Sequence, residues 1–240
     1  MGRLGFAWED APAQLSALTR SGGLDLTGIC THFASSDSPK RTFAEIQAER
    51  FRKTLAGCEK AGLNIPFRHV SNSGGILSEA GWDYNGVRPG ILMYGYGPRQ
   101  NLGRPAPTRP FLQWKTRLIL VKKVPSGFPV SYDSTHVTLQ STHIGTLNVG
   151  YADGYSRLLS NKGFVLVEGA RKPVIGRVTM NLTLVDLGPS TAAKEGDEVV
   201  LLGTQGKEAI WADEMAGWRN TISHEVLINI LTADRRVKPA

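Results

Sequence analysis

The sequence has little cysteine and no long apolar run. Cys30 and Cys58 are its only cysteines, too few for the disulfide framework of a small secreted protein. No window approaches the roughly 18 consecutive apolar residues of a membrane-spanning helix, and the first residues lack the apolar segment of a signal peptide. We therefore expect a cytoplasmic protein whose partners do not include a membrane.

The sequence also lacks any dense run of one charge. It has 28 Lys and Arg residues against 21 Asp and Glu, a formal net charge of +7. These basic residues are dispersed, and no nucleic-acid-binding motif accompanies them. We expect no nucleic-acid partner and no metal site. An anionic small-molecule ligand would account for part of the positive charge.

The first hundred residues alternate helical and strand patterns, which implies a parallel sheet with helices packed outside it. We assign residues 1–105 to this α/β domain. Apolar spacing predicts helices over about 11–19, 42–61 and 75–80, and strands over about 24–33, 67–70 and 87–94. The residues expected to face the core from the first two helices are Leu15, Leu18, Phe43, Ile46, Phe51, Leu55 and Cys58.

The pattern changes after residue 96. Residues 96–110 are rich in proline and have little periodicity, which suits a linker. Beyond it, short strand-like segments punctuated by Gly and Pro predict a β-rich domain over 106–240, with helices near 211–218 and 223–231. The predicted strands cover 116–124, 142–149, 164–168, 172–178, 183–185 and 198–202.

Polar residues follow the predicted strands of the first domain. Parallel α/β barrels gather their active sites at the carboxyl ends of strands. Ser73 opens a predicted helix before two glycines, and such a helix start can bind phosphate. An ordinary helix cap explains Ser73 at least as well, and a structural role explains a single strand-end histidine better. The strand-end residues are His32, His69, Ser73, Arg88, Gly90 and Ile91.

Seven short motifs occur in a fixed order along nearly the whole chain. Each is common alone, but the ordered set resembles alanine racemase, a family that uses pyridoxal phosphate (PLP). The resemblance implies part of a TIM-type (β/α)8 barrel, roughly its second half, followed by a C-terminal β domain. The motifs are Met-Gly-Arg-Leu-Gly at 1–5, Thr-His-Phe-Ala at 31–34, His-x-x-Asn-Ser at 69–73, Arg-Pro-Gly-Ile at 88–91, Val-Ser-Tyr at 130–132, Gly-Tyr-Ala-Asp-Gly at 150–154 and Gly-Arg-x-x-Met at 176–180.

The resemblance implies cofactor contacts at the strand ends. Arg88, supported by His69, would face the pyridine nitrogen and keep it unprotonated, because a guanidinium is always charged. The ring is then a weaker electron sink, which suits an enzyme that must return a proton to the α-carbon without side reactions. His32 would lie beside the ring. Ser73, Gly90 and Ile91 would hold the phosphate, and His224 stands where the family usually has a tyrosine that contacts it.

The resemblance also implies how the amino-acid substrate is handled. Racemisation needs an acid/base group on each face of the α-carbon, and Tyr132 would be one of them. A phenol has a pKa of about 10 and needs a cationic neighbour to act as a base near neutrality. The sequence does not identify that neighbour. A strand aromatic beside a turn is the alternative reading of Tyr132. Arg3 and the amide of Met180 would bind the substrate carboxylate, and Tyr151 would line the entry.

The chain departs from the family pattern in three places. The family's second base is a lysine that also forms the Schiff base with PLP, and it precedes the Met-Gly-Arg motif. The first lysine here is Lys40, in a loop-like Ser-Pro-Lys-Arg context, and we do not expect it to substitute. We therefore expect a truncated chain that is inactive alone. His224 and Asn181, which stands where the family usually has Asp, are the other departures.

These expectations define one function and two alternatives. The intact enzyme would be a homodimer that interconverts L- and D-alanine for peptidoglycan synthesis, with Tyr132 approaching the cofactor of the partner subunit. The first alternative is a racemase of broader specificity, acting for example on serine. The second is a catalytically inactive protein that binds a phosphate compound or pairs with a full-length racemase. The presence or absence of the catalytic lysine discriminates the two racemase hypotheses from the inactive binding protein.

Overall fold

The protein divides into two compact units, Met1–Arg109 and Pro110–Ala240. The structure, a computed structural model, describes residues 1–78, 80–97 and 108–233, with the side chains of 231–233 excepted. Most of the predicted linker lies outside the described residues. In the part of the chain that is described, no helix is both long and apolar enough to cross a membrane.

The first unit is a three-stranded parallel sheet with helices, as the alternating pattern predicts. Its elements are α1 (Ala11–Arg20), β1 (Gly28–Cys30), α2 (Thr42–Lys60), β2 (Phe67–Asn72), α3 (Ser73–Leu77) and β3 (Gly86–Arg88). The strand order is β1-β2-β3.

Two predicted strands of this unit are shorter than expected. The strand predicted over 24–33 is regular only in β1. The strand predicted over 87–94 ends at Arg88, because Pro89 cannot donate to a sheet hydrogen bond. The chain then forms a 3-10 helix over Ile91–Tyr94. The described residues therefore contain three parallel strands, and the partial (β/α)8 barrel stays a prediction.

The helices of the first unit bury part of the predicted core faces. Phe33, Ala44, Phe51, Leu55 and Val70 form one buried cluster, and a second one contains Leu15, Cys58 and Ile65. The inward placement predicted for three residues is wrong: Leu18, Phe43 and Ile46 are 41%, 47% and 42% exposed. In the described residues β1 is an edge strand that pairs with β2 alone. The three-stranded sheet therefore offers too little apolar surface to cover these three side chains.

The second unit is an antiparallel β domain closed by two helices, which confirms the β-rich prediction. Its elements are β4 (Trp114–Val124), β5 (Pro129–Val130), β6 (His136–Val137), β7 (Thr142–Leu147), β8 (Phe164–Val167), β9 (Ala170–Pro173), β10 (Thr183–Gly188), β11 (Glu198–Gln205), β12 (Glu208–Ile210), α4 (Ala212–Arg219) and α5 (Ser223–Ala233). The main sheet runs β10-β7-β4-β11-β8-β9, with β12 paired to β11. A bridge between Val174 and Val185 joins the segment after β9 to β10, so the two ends of the strand order meet.

One predicted strand of this unit is misplaced. The strand predicted over 172–178 is observed as β9, over Ala170–Pro173, and the chain becomes irregular soon after it. Gly176 has a φ of +72°, a left-handed conformation that extended strands do not contain. The irregular segment that results carries several of the candidate site residues.

Candidate functional site

The carboxyl ends of the three parallel strands meet around one guanidinium. Arg88 Nη2 donates to the carbonyls of Thr31 at 2.6 Å and Val70 at 3.2 Å. Its Nη1 donates to the His69 carbonyl at 3.1 Å and contacts His69 Nδ1. His32 Nδ1 lies 3.4 Å from Nη2. We call Arg88, His32 and His69 the arginine cluster; hydrogen bonds to backbone groups fix its central charge at the strand ends.

The two histidines of the arginine cluster favour the neutral form. Burial lowers the pKa of His69, and the adjacent Arg88 lowers it further. Burial is also the main cause of the lowered pKa of His32, followed by the charges of Arg88, Arg3 and the N-terminal amine. A neutral imidazole has one ring nitrogen that accepts a hydrogen bond, and His69 Nδ1 fills that role toward Arg88.

One donor of Arg88 remains available. Among the described residues, no acceptor is found for its Nε–H, whereas both terminal nitrogens are bonded. A fixed cationic N–H without a protein acceptor can bind a ligand lone pair. The arginine cluster therefore offers one oriented donor to a ligand with an electron-rich nitrogen or oxygen.

A second group of donors lies at the start of α3. Ser73 is buried, and its Oγ accepts the amide of Gly90 at 2.9 Å and that of Leu92 at 3.4 Å. The hydroxyl proton of Ser73 stays available, and in the described chain no acceptor is found for the Ile91 amide. Among the described residues, the Ser73 hydroxyl and the Ile91 amide thus have no protein acceptor. If an anion bound here, the Gly90 amide would donate to it instead of to Ser73.

Asn72 organises these elements, and the sequence reasoning missed it. Its Oδ1 accepts the Gly75 amide at 3.0 Å and the Ser36 hydroxyl at 2.7 Å. Its Nδ2 donates to the Phe33 carbonyl at 3.3 Å and lies 3.4 Å from His32 Nε2. Asn72 caps α3 and ties the end of β2 to the segment after β1. An Asn directly before Ser-Gly-Gly was the available signal, because Asn is a preferred helix cap.

An open basin lies beside the β1 edge of the first unit. His32, Arg88 and the N-terminal residues, including Arg3, contribute to its walls. Of the described residues that line it none is a lysine, and Lys40 is exposed in a loop elsewhere. The apolar side chains that line the basin include Phe6, Trp8, Leu15, Ile29, Phe43 and Phe51.

The second unit presents Tyr132 on a loop between β5 and β6. We call residues 130–135 the tyrosine loop. The Tyr132 side chain is 70% exposed. Ser131 Oγ donates to the Arg177 carbonyl at 2.7 Å, and the Arg177 Nε lies 3.4 Å from Asp133 Oδ2. The tyrosine loop is therefore fastened to the irregular segment that follows β9.

That segment, residues 176–181, carries Met180 and Asn181, and we call it the methionine segment. The carbonyl of Thr179 accepts the Tyr151 amide, and the carbonyl of Met180 accepts the Ala152 amide, both at 3.0 Å. Within the described residues the Met180 amide itself has no acceptor. The methionine segment thus links two exposed tyrosines and offers a backbone donor close to one of them.

His224 is placed by helix α5. It is the second residue of that helix, exposed to solvent. The helix lies beside the 3-10 turn Tyr151–Asp153. The structure therefore brings Tyr132, Tyr151, Met180 and the His224 helix onto connected elements of the second unit, whereas the arginine cluster, Ser73 and Arg3 belong to the first unit.

The fold and these residues define a class of protein: an α/β unit with a candidate strand-end site for an anionic ligand, followed by an antiparallel β domain that exposes phenols. Comparison with protein-family models gives the particular family. The model described as "Alanine racemase, N-terminal domain" matches residues 1–98, and "Alanine racemase, C-terminal domain" matches residues 111–238. The chain belongs to the alanine racemase family, which is PLP-dependent.

Curated relatives agree with this assignment. The alanine racemase of Syntrophobacter fumaroxidans is 42% identical over 230 residues, covering 96% of this chain and 61% of the relative. That of Carboxydothermus hydrogenoformans is also 42% identical, covering 96% of this chain and 62% of the relative. The chain thus spans about three fifths of the length of these relatives. Their names do not favour the broader racemase or the inactive binding protein.

Solved structures show the same likeness. Alanine racemase from Bacillus anthracis with bound L-Ala-P superposes with a TM-score of 0.88 at 35% identity, covering 96% of this chain and 60% of that one. Alanine racemase from Bartonella henselae, solved with covalently bound pyridoxal phosphate, gives a TM-score of 0.82 at 27% identity, covering 96% and 61%. These matches support the family's fold of an N-terminal barrel domain and a C-terminal β domain.

Proposed function

We propose that this chain forms part of a racemase that interconverts L- and D-alanine with PLP bound at the arginine cluster. The observation that carries the proposal is the guanidinium of Arg88, fixed by the ends of the parallel strands and flanked by two neutral histidines. We assign residues 1–105 to a partial barrel and 106–240 to the β domain. Family membership supports both assignments.

The residues present fit PLP. Its phosphate would take the free donors of Ser73 and Ile91 and the amide of Gly90, and its pyridine nitrogen would accept the Nε–H of Arg88. His32 would lie beside the ring, and His224 would take the place of the family's phosphate-contacting tyrosine. When bound, PLP draws electrons from the α-carbon of an attached amino acid and so acidifies its hydrogen. The permanent charge of Arg88 would keep the nitrogen unprotonated and would limit that withdrawal.

The second unit would supply proton transfer and substrate binding. Tyr132 would give or take a proton through its phenolic oxygen on one face of the α-carbon. The amide of Met180, which has no acceptor in the described chain, and the Arg3 guanidinium would hold the carboxylate. Tyr151 would line the entry. We further infer a cytoplasmic homodimer, with the Tyr132 of one subunit approaching the cofactor of the other, and a role for its product in peptidoglycan synthesis.

The test is formation of D-alanine. The chain is co-expressed with the part of the Syntrophobacter fumaroxidans racemase that it does not span, and L-alanine turnover is measured with and without PLP. We expect PLP-dependent D-alanine formation and a fall of about 10²–10⁴-fold in Tyr132→Phe. Tyr84→Phe, a change at another partly exposed tyrosine, is the control. A folded, PLP-binding complex that makes no D-alanine would overturn the proposal.

The 240-residue chain alone provides a second comparison. Among the described residues that line the basin next to the arginine cluster there is no lysine, so we expect no lysine side chain there for the covalent anchor and the second proton transfer. We expect the isolated chain to form no D-alanine above the level seen with free PLP. Turnover by the isolated chain, with one lysine labelled by borohydride reduction, would show that Lys40 or another lysine serves.

A further inference from the structure

The backbone of the tyrosine loop is strained on both sides of Tyr132. Ser131 has φ 61° and ψ −170°, and Asp133 has φ 61° and ψ 8°. Ser134 is left-handed as well, with a φ of 47°. Non-glycine residues seldom adopt these conformations, and that of Ser131 is one that glycine alone adopts readily. Such a loop persists only when surrounding contacts hold it in place.

Besides the exposed Asp133–Arg177 ion pair, two direct contacts hold the tyrosine loop on the methionine segment. The Ser131 hydroxyl donates to the Arg177 carbonyl at 2.7 Å. Gly176 packs so closely that an added Cβ would lie 2.7 Å from Ser131 Cβ and 2.9 Å from the Val130 carbonyl oxygen. The hydroxyl of Ser131 therefore fastens the strained residue at the point where the two segments touch.

Asn161 bridges the same two segments from a third position. Its Oδ1 accepts the Gly176 amide at 2.6 Å. Its Nδ2 donates to Thr135 Oγ1 at 3.1 Å and to the Thr135 carbonyl at 3.4 Å. Asn161 itself has a φ of 57°, which asparagine tolerates better than most residues. One side chain thus binds the end of the tyrosine loop and the start of the methionine segment.

The far end of the methionine segment is fixed independently. Its Thr179 and Met180 carbonyls accept the amides of Tyr151 and Ala152. The tyrosine loop therefore rests on a segment whose other end presents the Met180 amide. A shift of one segment would displace the phenol relative to that amide.

We propose that Ser131 and Asn161 are positioning residues that set the placement of the Tyr132 phenol relative to the Met180 amide. The consequence for catalysis rests on the proposed function above, whereas the coupling between the two segments does not. Neither side chain needs to touch a substrate. Their effect is exerted through the backbone of the tyrosine loop and of the methionine segment.

Hydrogen exchange of the 240-residue chain tests the coupling directly. Ser131→Gly suits the backbone conformation and removes the hydroxyl, without removing an acceptor from the Gly176 or Val178 amides, which bond to Asn161 and Ser160. We expect exchange in both segments to quicken about fivefold, the equivalent of one hydrogen bond. Ser134→Gly is the matched control, because it relieves a positive φ in the same loop, and its hydroxyl makes no hydrogen bond to another described residue.

The outcomes separate a coupled loop from an independent one. Faster exchange in both segments for Ser131→Gly, with no change for Ser134→Gly, supports the proposal. Faster exchange confined to the tyrosine loop, or equal effects of both variants, overturns it. Asn161→Asp gives a second measurement: it keeps the acceptor for Gly176 and removes the donor to Thr135, so we expect exchange to quicken in the tyrosine loop more than at Gly176.

A kinetic measurement separates positioning from structural support. In the co-expressed racemase, we expect Ser131→Gly to lower kcat about fivefold or more for L-alanine with little change in KM, because the phenol acts in proton transfer. Unchanged kcat with altered exchange would overturn the catalytic part of the proposal. If the wild-type complex makes no D-alanine, the proposed function fails, and the exchange result still decides whether the segments are coupled.

Discussion

The arginine cluster and the tyrosine loop hold their functional groups in opposite ways. Arg88 ends β3 and is fixed by carbonyl groups of β2 and of the residue after β1, so regular secondary structure sets its position. Tyr132 lies on an exposed loop with an irregular backbone, held by a few side-chain hydrogen bonds. In the proposed function the charge of Arg88 would orient a ligand, whereas the phenol of Tyr132 would meet the substrate during proton transfer.

The largest effect is expected from a substitution that removes the guanidinium of the arginine cluster. Arg88→Ala leaves the carbonyls of Thr31, His69 and Val70 without their donor, and we expect it to destabilise the first unit by about 2–4 kcal/mol. Arg52→Ala, at an exposed position of α2, should change stability by less than about 0.5 kcal/mol. Urea unfolding checks both values. Equal stability of the two variants would show that the strand ends do not depend on Arg88.

The next largest effect is expected from a substitution that disrupts the close contact between Gly176 and the tyrosine loop. Gly176 and Gly127 have nearly equal φ values of 72° and 76°, but an added Cβ meets Ser131 and Val130 at Gly176 and nothing within 4 Å at Gly127. We expect Gly127→Ala to destabilise by about 1 kcal/mol, from backbone strain alone, and Gly176→Ala by about 2–3 kcal/mol more. Thermal unfolding measures the difference. Similar losses of stability in the two variants would show that the space around Gly176 can accommodate a methyl group.

A change of pH distinguishes the two regions less strongly. Because the pKa values of His32 and His69 are lowered in the folded state, the unfolded chain binds more protons as the pH falls below about 6.5. The contribution of these histidines to the free energy of unfolding is therefore fully present above that pH. It is lost as the pH falls through their folded-state pKa values. We expect His69→Gln to reduce the acid-induced fall in Tm by about 2 °C. An unchanged fall would contradict the assigned neutral state of His69.

The smallest effect concerns the exposed ion pair of the tyrosine loop. Asp133 is 69% exposed at its side chain and lies 3.4 Å from Arg177 Nε. Exposed pairs contribute little, and Asn tolerates a left-handed backbone well. We expect Asp133→Asn to change the free energy of unfolding by less than about 0.5 kcal/mol. A larger loss in urea unfolding would assign to this pair the role that we give to Ser131 and Asn161.

Sequence patterns predicted the regular elements well. The alternating helices and strands of the first unit and the antiparallel β domain follow from apolar spacing and turn residues. Prediction failed where one backbone property outweighed the spacing, as where Pro89 ends β3 or the left-handed Gly176 interrupts the strand predicted after Lys172. Leu18 and Phe43 were misplaced because spacing alone does not show how much sheet is available to cover a helix.

The candidate site was predictable only as a set of residues. Motif order singled out Arg88, Ser73 and Tyr132. The contacts that hold them were not readable, because Asn161 reaches Gly176 and Thr135 across distant parts of the sequence. The left-handed conformation of Ser131 also has no sequence signal, since serine carries no preference for it. Such positioning residues become visible only when the fold brings their partners together.

The most direct test of PLP binding at the arginine cluster uses pyridoxine 5′-phosphate. This ligand keeps the ring nitrogen and the phosphate of PLP but has no aldehyde, so it cannot react with surface lysines. Its binding to the 240-residue chain is measured by calorimetry beside Arg88→Lys, Ser73→Ala and the control Arg52→Lys. We predict binding by the wild type and the control, and affinities at least tenfold weaker in the other two, because Lys lacks the planar donor fork and Ala the hydroxyl. Equal affinities in all four proteins would contradict a cofactor site at the arginine cluster.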